Sequence, residues 1–216
     1  MENLLYHPVL RSITITPPTV YYRKEKAEFI FPIPKNGSST IQQAYSRNMY
    51  SVGPITESVK HNDYKVTTFA RDPVSRYYSA ISTIFGEEYL LDSRPLKYVT
   101  KVMFVDEHTI PQYYHIMNLL RYLSDDTTIS FMNITDIGTM FDTSMHVNKK
   151  DPAVKDKFRD ALYKLHLNFD DQIRQAYALD SIIYDEFTVN NPMTKKDIIT
   201  RFKKEHEFFN KNSLQL

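Results

Sequence analysis

Two stretches of this chain run from strand to loop to helix, and each carries a cation at the turn. Residues 29–41 read FIFPIPKNGSSTI and residues 66–80 read VTTFARDPVSRYYSA. An apolar run of strand length that stops at small residues and resumes as a helix is the pattern of a buried strand feeding a βα turn. Such a turn aims several backbone N–H groups out of the positive end of the following helix, which favours an anion. Glycine is scarce, 4 in 216 residues, yet Gly37 falls in the first turn. It permits a tight backbone path close to a ligand. Asn36 sits beside it, Ser38, Ser39 and Thr40 add short hydroxyls, and Lys35 supplies a mobile point charge. In the second stretch Asp72 is placed to cap a helix whose first residue is Pro73. Arg71 ends the strand, and Ser79 returns to the helix face of the cap about two turns later, with Ser75 between. Together the two turns predict a nucleotide with phosphates at two positions, held by Lys35, Asn36, Gly37, Ser38, Ser39, Thr40, Arg71 and Ser79.

Each residue also has a plainer use. Lys35 fits an ordinary βα turn as a solvated lysine, Arg71 fits a salt bridge, and Ser79 fits a packed helix face. The lysine precedes the glycine, the reverse of the GxxxxGK[ST] phosphate loop, and no acidic strand end is placed to hold Mg²⁺. Asp72 is a cap and is assigned no ligand role.

Along the rest of the chain, residues 1–24 read as an irregular leader broken by Pro17 and Pro18, and residues 25–216 as one domain. Strands are predicted over 27–33, 65–70, 99–105 and 129–132. Helices are predicted over 39–50, 73–85, 169–187 and 195–209, with another opened by Asp151 and Pro152. Residues 51–62 read as a polar connection, and a turn or short helix is expected around Asp136. Strands alternating with helices predict an α/β sandwich on a mainly parallel sheet.

A formal net charge of +1 argues against nucleic acid bound by bulk electrostatics. With no cysteine there is no disulfide, no thiolate nucleophile and no thiolate metal site. The sequence carries no HExxH motif or acidic metal cluster, no signal peptide at its start, and nothing near the roughly 18 apolar residues of a membrane span. The expectation is a protein without a membrane span, in the cytoplasm.

The motif PKNGSST resembles the 5′-phosphosulfate loop of sulfotransferases that use 3′-phosphoadenosine 5′-phosphosulfate (PAPS). The segment FARDPVSRYYSA is similar to their 3′-phosphate motif, with Ser eight residues after Arg. DEHTIPQ at 106–112, HVNKKD at 146–151 and YALDSIIYDEF at 177–187 resemble segments of the carbohydrate (Golgi-type) branch. The resemblance implies a three-layer sulfotransferase fold with a P-loop-like strand–loop–helix. It implies transfer of the sulfuryl group of PAPS to an acceptor hydroxyl, on a carbohydrate, with release of 3′-phosphoadenosine 5′-phosphate (PAP) and no metal. Lys35 would touch the bridging oxygen, Gly37 to Thr40 would cradle the 5′-phosphate, and Arg71 and Ser79 would hold the 3′-phosphate. The chain departs from that branch in lacking an anchor and cysteines, which suggests a bacterial or viral version or an excised lumenal domain.

An acceptor hydroxyl also needs a general base. His108 is the first candidate, because Asp106 and Glu107 stand beside it to orient the ring. Glu57 and His61 are the rivals and His146 a distant fourth. Tyr77, Tyr78, Tyr113 and Tyr114 are aromatic enough to stack on sugars, although core packing is their commoner use. The competing functions are a P-loop kinase-like phosphotransferase and an inactive module that binds PAP or glycan.

Overall fold

A computed structural model describes residues 16–23, 27–47, 51–55, 64–84, 108–141, 156, 159–160, 164 and 169–213. The strands are β1 (Thr19–Arg23), β2 (Glu28–Phe31), β3 (Ser51–Pro54), β4 (Lys65–Ala70), β5 (Thr128–Asn133) and β6 (Met193–Thr194). Among the described residues seven α-helices accompany them: α1 (Ser38–Arg47), α2 (Pro73–Ile84), α3 (Gln112–Leu120), α4 (Ile137–Phe141), α5 (Phe169–Ala176), α6 (Ala178–Ile182) and α7 (Lys195–Ser213). A 3₁₀ turn, Ile134–Asp136, leads into α4, and a π-helical turn, Ile183–Phe187, continues α6.

Among the described residues these six strands form one sheet in the order β3-β1-β2-β4-β5-β6. The expectation of a mainly parallel sheet needs correction, because the sheet is mixed. β2, β4 and β5 are parallel neighbours, whereas β1 pairs antiparallel with both β2 and β3, and β6 antiparallel with β5. The parallel centre is the part buried on both faces. β4 is enriched in β-branched and aromatic residues, and all but its first residue are buried.

Two further expectations are corrected. Part of the supposed leader, Thr19–Arg23, is β1, with Val20 fully buried. Pro17 and Pro18 flank the strand without interrupting it, and the Pro18 carbonyl accepts from Ile55 N at 3.0 Å. Part of the supposed connection, Ser51–Pro54, is edge strand β3, paired in register from Thr19↔Pro54 to Tyr22↔Ser51. Its Gly and Pro carry no strand propensity of their own, so the neighbouring strand supplies it. The expected strand at 99–105 and helix opening at 151–152 lie outside the described residues, although Asp156, Arg159, Asp160 and Lys164 are helical.

The period-two alternation along the strands sends side chains to two separate cores. Phe29, Phe31, Val66, Ala70, Ile129 and Phe131 pack with α3, the π-turn and α7 through Ile116, Leu119, Phe187, Ile198 and Phe202. Ile30 and Phe69 face the other way and meet Ile41 and Ala44 of α1 with Ile137 and Phe141 of α4. Helices therefore cover both faces of the sheet. No helix among the described residues is long and apolar enough to cross a membrane.

Phe69 is fully buried between α1 and α4, with its ring 6.3 Å from that of Phe141. Phe69→Ala should cost about 3–5 kcal/mol, read as a lowered urea midpoint. A loss below about 1 kcal/mol would show that α1 is held in place by other contacts.

Candidate functional site

The two predicted turns leave the same ends of adjacent parallel strands β2 and β4, the sheet edge where open α/β folds bind ligands. The first runs through residues 32–37 into α1. Its Asn36 N–H donates to Ile33 O at 3.0 Å, closing a turn in which Lys35 takes a left-handed φ of 67° and Gly37 a φ of 78°. The left-handed φ is what favours glycine at 37; a Cβ there would stand 2.5 Å from Ile137 Cδ1, the movable end of a side chain on α4. The first bond of α1 is Ile41 N to Gly37 O at 2.9 Å. The preceding amides therefore lie at the helix opening with no partner inside it. Ser38 and Ser39 are half-buried there, and Thr40 is buried.

The second turn is held as the sequence predicts. Asp72 Oδ2 accepts from Ser75 N at 2.8 Å, capping α2, while Oδ1 pairs with Arg174 of α5 at 3.2 Å. Arg71 Nε and Nη2 donate to Ser75 Oγ at 3.2 and 3.1 Å, and Nη1 donates to Lys35 O at 2.9 Å. Arg71 thus joins the two turns directly and helps hold Lys35 in its left-handed conformation. A guanidinium carries five N–H hydrogens, so two remain for an anion. Ser75, Ser79 and Thr83 follow at intervals of four along α2, forming a row of hydroxyls. Lys35 Nζ donates to Thr83 Oγ1 at 2.7 Å, and the Ser79 carbonyl accepts the hydroxyls of Ser82 and Thr83. One helix face therefore lies between the two cations, with Ser79 half-buried midway.

Beneath the turns is a buried polar network that sequence reasoning did not foresee. Asn36 is fully buried, and its Nδ2 donates to Phe69 O at 2.6 Å and to Gln112 Oε1. Its side chain therefore braces the loop from below. Gln112 also clasps the main chain of Arg71, accepting from its N–H at 3.0 Å and donating to its carbonyl at 2.8 Å. Asp180 of α6 receives Gln112 N at 2.8 Å and Tyr113 N at 2.9 Å, capping α3 from 68 positions away in sequence. Arg76, 1% exposed, reaches Pro34 O at 3.1 Å and Ile110 O at 2.7 Å, so one guanidinium ties the Lys35 turn to the segment after His108. Tyr177 hydroxyl donates to Thr109 O at 2.5 Å. The segments DEHTIPQ and YALDSIIYDEF, singled out separately in the sequence, are thus bonded to each other.

These groups set a local field. Burial, and then the neighbouring Arg76, lower the Arg71 pKa, with Asp72 opposing. Burial likewise lowers that of Arg76, with Asp180 opposing most strongly. Among the described residues two desolvated guanidiniums therefore stand close to one buried carboxylate, that of Asp180. Burial pushes the Asp180 carboxyl up to about 6, against the lowering effects of Arg76 and the α3 amides.

His108 is half-buried at the turn preceding Thr109, on the strand-end side where Arg76 links the loops. Glu57, His61 and His146, with the HVNKKD segment, lie outside the described residues. Tyr77 and Tyr78 are core residues, 0% and 5% exposed, and the Tyr77 ring packs on Phe169 and Tyr177. Tyr113 and Tyr114 are half-buried and meet edge to face at 5.3 Å. No protein-family model, curated protein or solved structure matches the chain.

A carboxyl held near 6 is protonated in the folded state at pH values where the unfolded chain, at 3.8, has released its proton. The associated stability is complete below about pH 4 and is lost as pH rises through about 6. The stability of the native protein minus that of an Asp180→Asn variant should therefore fall between pH 4.5 and 7, by at most about 3 kcal/mol. Denaturation series at several pH values measure it, and a difference that grows with pH would contradict the assignment.

Proposed function

We propose that this chain is a sulfotransferase that moves the sulfuryl group of PAPS to an acceptor hydroxyl, on a carbohydrate. The observation that carries the reading is the bond from Arg71 Nη1 to Lys35 O at 2.9 Å. It brings a cation suited to a 3′-phosphate beside the loop whose lysine suits a leaving 5′-phosphate. The hydroxyls of α2 and the amides opening α1 supply further donors, in the manner of a P-loop-like site that needs no GK[ST] order.

In the proposed reaction the acceptor oxygen forms a bond to sulfur as the bond from sulfur to the bridging phosphate oxygen breaks. The acceptor proton goes to a base, and PAP departs. The protein's part is positioning and charge stabilisation. Lys35, already turned along α2 toward Thr83, has a flexible four-carbon stem that lets its ammonium follow the charge gathering on the leaving oxygen. Gly37, Ser38, Ser39 and Thr40 hold the 5′-phosphate. Arg71 and Ser79 hold the 3′-phosphate, which ATP lacks. His108 is the proposed base, supported by a segment that Arg76 and Tyr177 tie to the same end of the sheet.

Calorimetric titration separates this reading from its rivals. PAP should bind without Mg²⁺ and more tightly than Mg·ATP, and Arg71→Ala should weaken PAP about tenfold to a hundredfold. Lys35→Ala should lower kcat roughly a hundredfold or more while PAP affinity changes far less. A preference for Mg·ATP would replace the reading with a phosphotransferase. PAP binding without turnover on any acceptor would leave a binding module.

The base is tested by turnover in an acceptor screen. His108→Ala should lose about two to four orders of magnitude in kcat. Near-normal turnover would transfer the role to Glu57 or His61.

A further inference from the structure

The last ladder pairing of β4 is Ala70 with Asn133 of β5. Arg71 has left the sheet, yet both of its main-chain polar groups are bonded, to the side-chain amide of Gln112 at 3.0 and 2.8 Å. A primary amide presents one acceptor and one donor side by side, which is what a neighbouring strand would present. Gln112 therefore extends the sheet by one residue, at the point where the chain must deliver a guanidinium. It is fully buried, and Asn36 Nδ2 shares its Oε1, so the same amide also registers the Lys35 turn. Asp180 in turn holds the Gln112 backbone N–H at 2.8 Å.

We propose that Gln112 is a positioning residue for the 3′-phosphate arm of the site, fixing the Arg71 main chain against the Lys35 turn so that its guanidinium meets that phosphate. The inference rests on the sulfotransferase reading given above. It assigns Gln112 no contact with the nucleotide. The residue acts mainly through Arg71, and the Lys35 turn keeps the Asn36 bond to Phe69 O when Gln112 is lost, so the loss falls hardest on ligands that carry a 3′-phosphate.

The test compares PAP with adenosine 5′-monophosphate, which lacks the 3′-phosphate, on the full chain. Gln112→Met keeps the side-chain length and removes both bonds to Arg71, together with those to Asn36 and Asp180. It should lower PAP affinity about tenfold to a hundredfold while AMP affinity moves less than about threefold. A general loosening of the fold would lower both together.

Gln112→Glu provides the second arm. An ionised carboxylate cannot donate to Arg71 O, whereas a protonated carboxyl presents one donor and one acceptor, as the amide does. The charged or titratable groups around this position are Asp180 from α6, Tyr177 and Tyr114 that act on Asp180, Arg71 at the turn and Arg76 from α2. The native protein is therefore measured alongside at each pH. Relative to it, the Gln112→Glu variant should regain PAP affinity as pH falls from 8 to 5, and Gln112→Met should not. Far-UV circular dichroism and melting confirm that each variant is folded; should Gln112→Met fail to fold, the acid recovery of Gln112→Glu decides alone. Native protein that does not bind PAP removes the sulfotransferase reading and this inference with it. Native binding with a PAP-to-AMP ratio unchanged in the folded variants overturns the inference by itself.

Discussion

One buried carboxylate organises the loops at the functional end of the sheet. Asp180 receives the first two amides of α3, and through Gln112 it governs the main chain of Arg71 and the side chain of Asn36. Arg76 is the compensating charge and spends its own bonds on the carbonyls of Pro34 and Ile110. Removing one partner of such a group leaves the others buried and uncompensated, at a cost on the order of 3–5 kcal/mol. The cost of burial is visible in the raised Asp180 pKa. What that cost secures is a fixed relation among four chain segments that are far apart in sequence.

That relation explains how a nearly neutral chain concentrates positive charge. The net charge is +1, yet Lys35, Arg71 and Arg76 gather at the ends of β2 and β4, and the one buried carboxylate among the described residues there, Asp180, is turned inward to cap α3. Asp72, the other nearby acid, is engaged by the α2 amide and by Arg174. The field there is thus set by groups held in place by hydrogen bonds within the chain itself. Preorganised donors and cations are what stabilise charge that shifts during a transfer reaction.

The parts of the fold that were legible share a physical cause. β4 matches its expected bounds, and α2 begins where expected, because Val, Thr, Thr and Phe in succession carry strong strand propensity and an Asp-Pro pair marks a helix start locally. β3 was illegible because Ser-Val-Gly-Pro has poor strand propensity and owes its form to pairing, whereas β1 is rich in β-branched and aromatic residues and was obscured by the Pro17–Pro18 pair that precedes it. α3 hides for a related reason. Its first two amides are capped by a residue 68 positions away, so no local cap announces it, and Pro111 reads as easily as a loop residue.

The sequence by itself determined the two strand–loop–helix turns and the residues they display, because spacing along a short segment dictates which groups share a loop or a helix face. Lys35, Gly37, Arg71, Asp72 and Ser79 belong to that class. Tertiary structure decided the rest: that Gly37 packs beside Ile137, that Arg71 bonds the Lys35 carbonyl, and that Asn36 faces the interior. It also decided that Gln112, Arg76, Tyr177 and Asp180 form the support beneath them. Each of those facts is a contact between segments distant along the chain, and a hydrogen bond between such segments exists only once the sheet has brought their ends together.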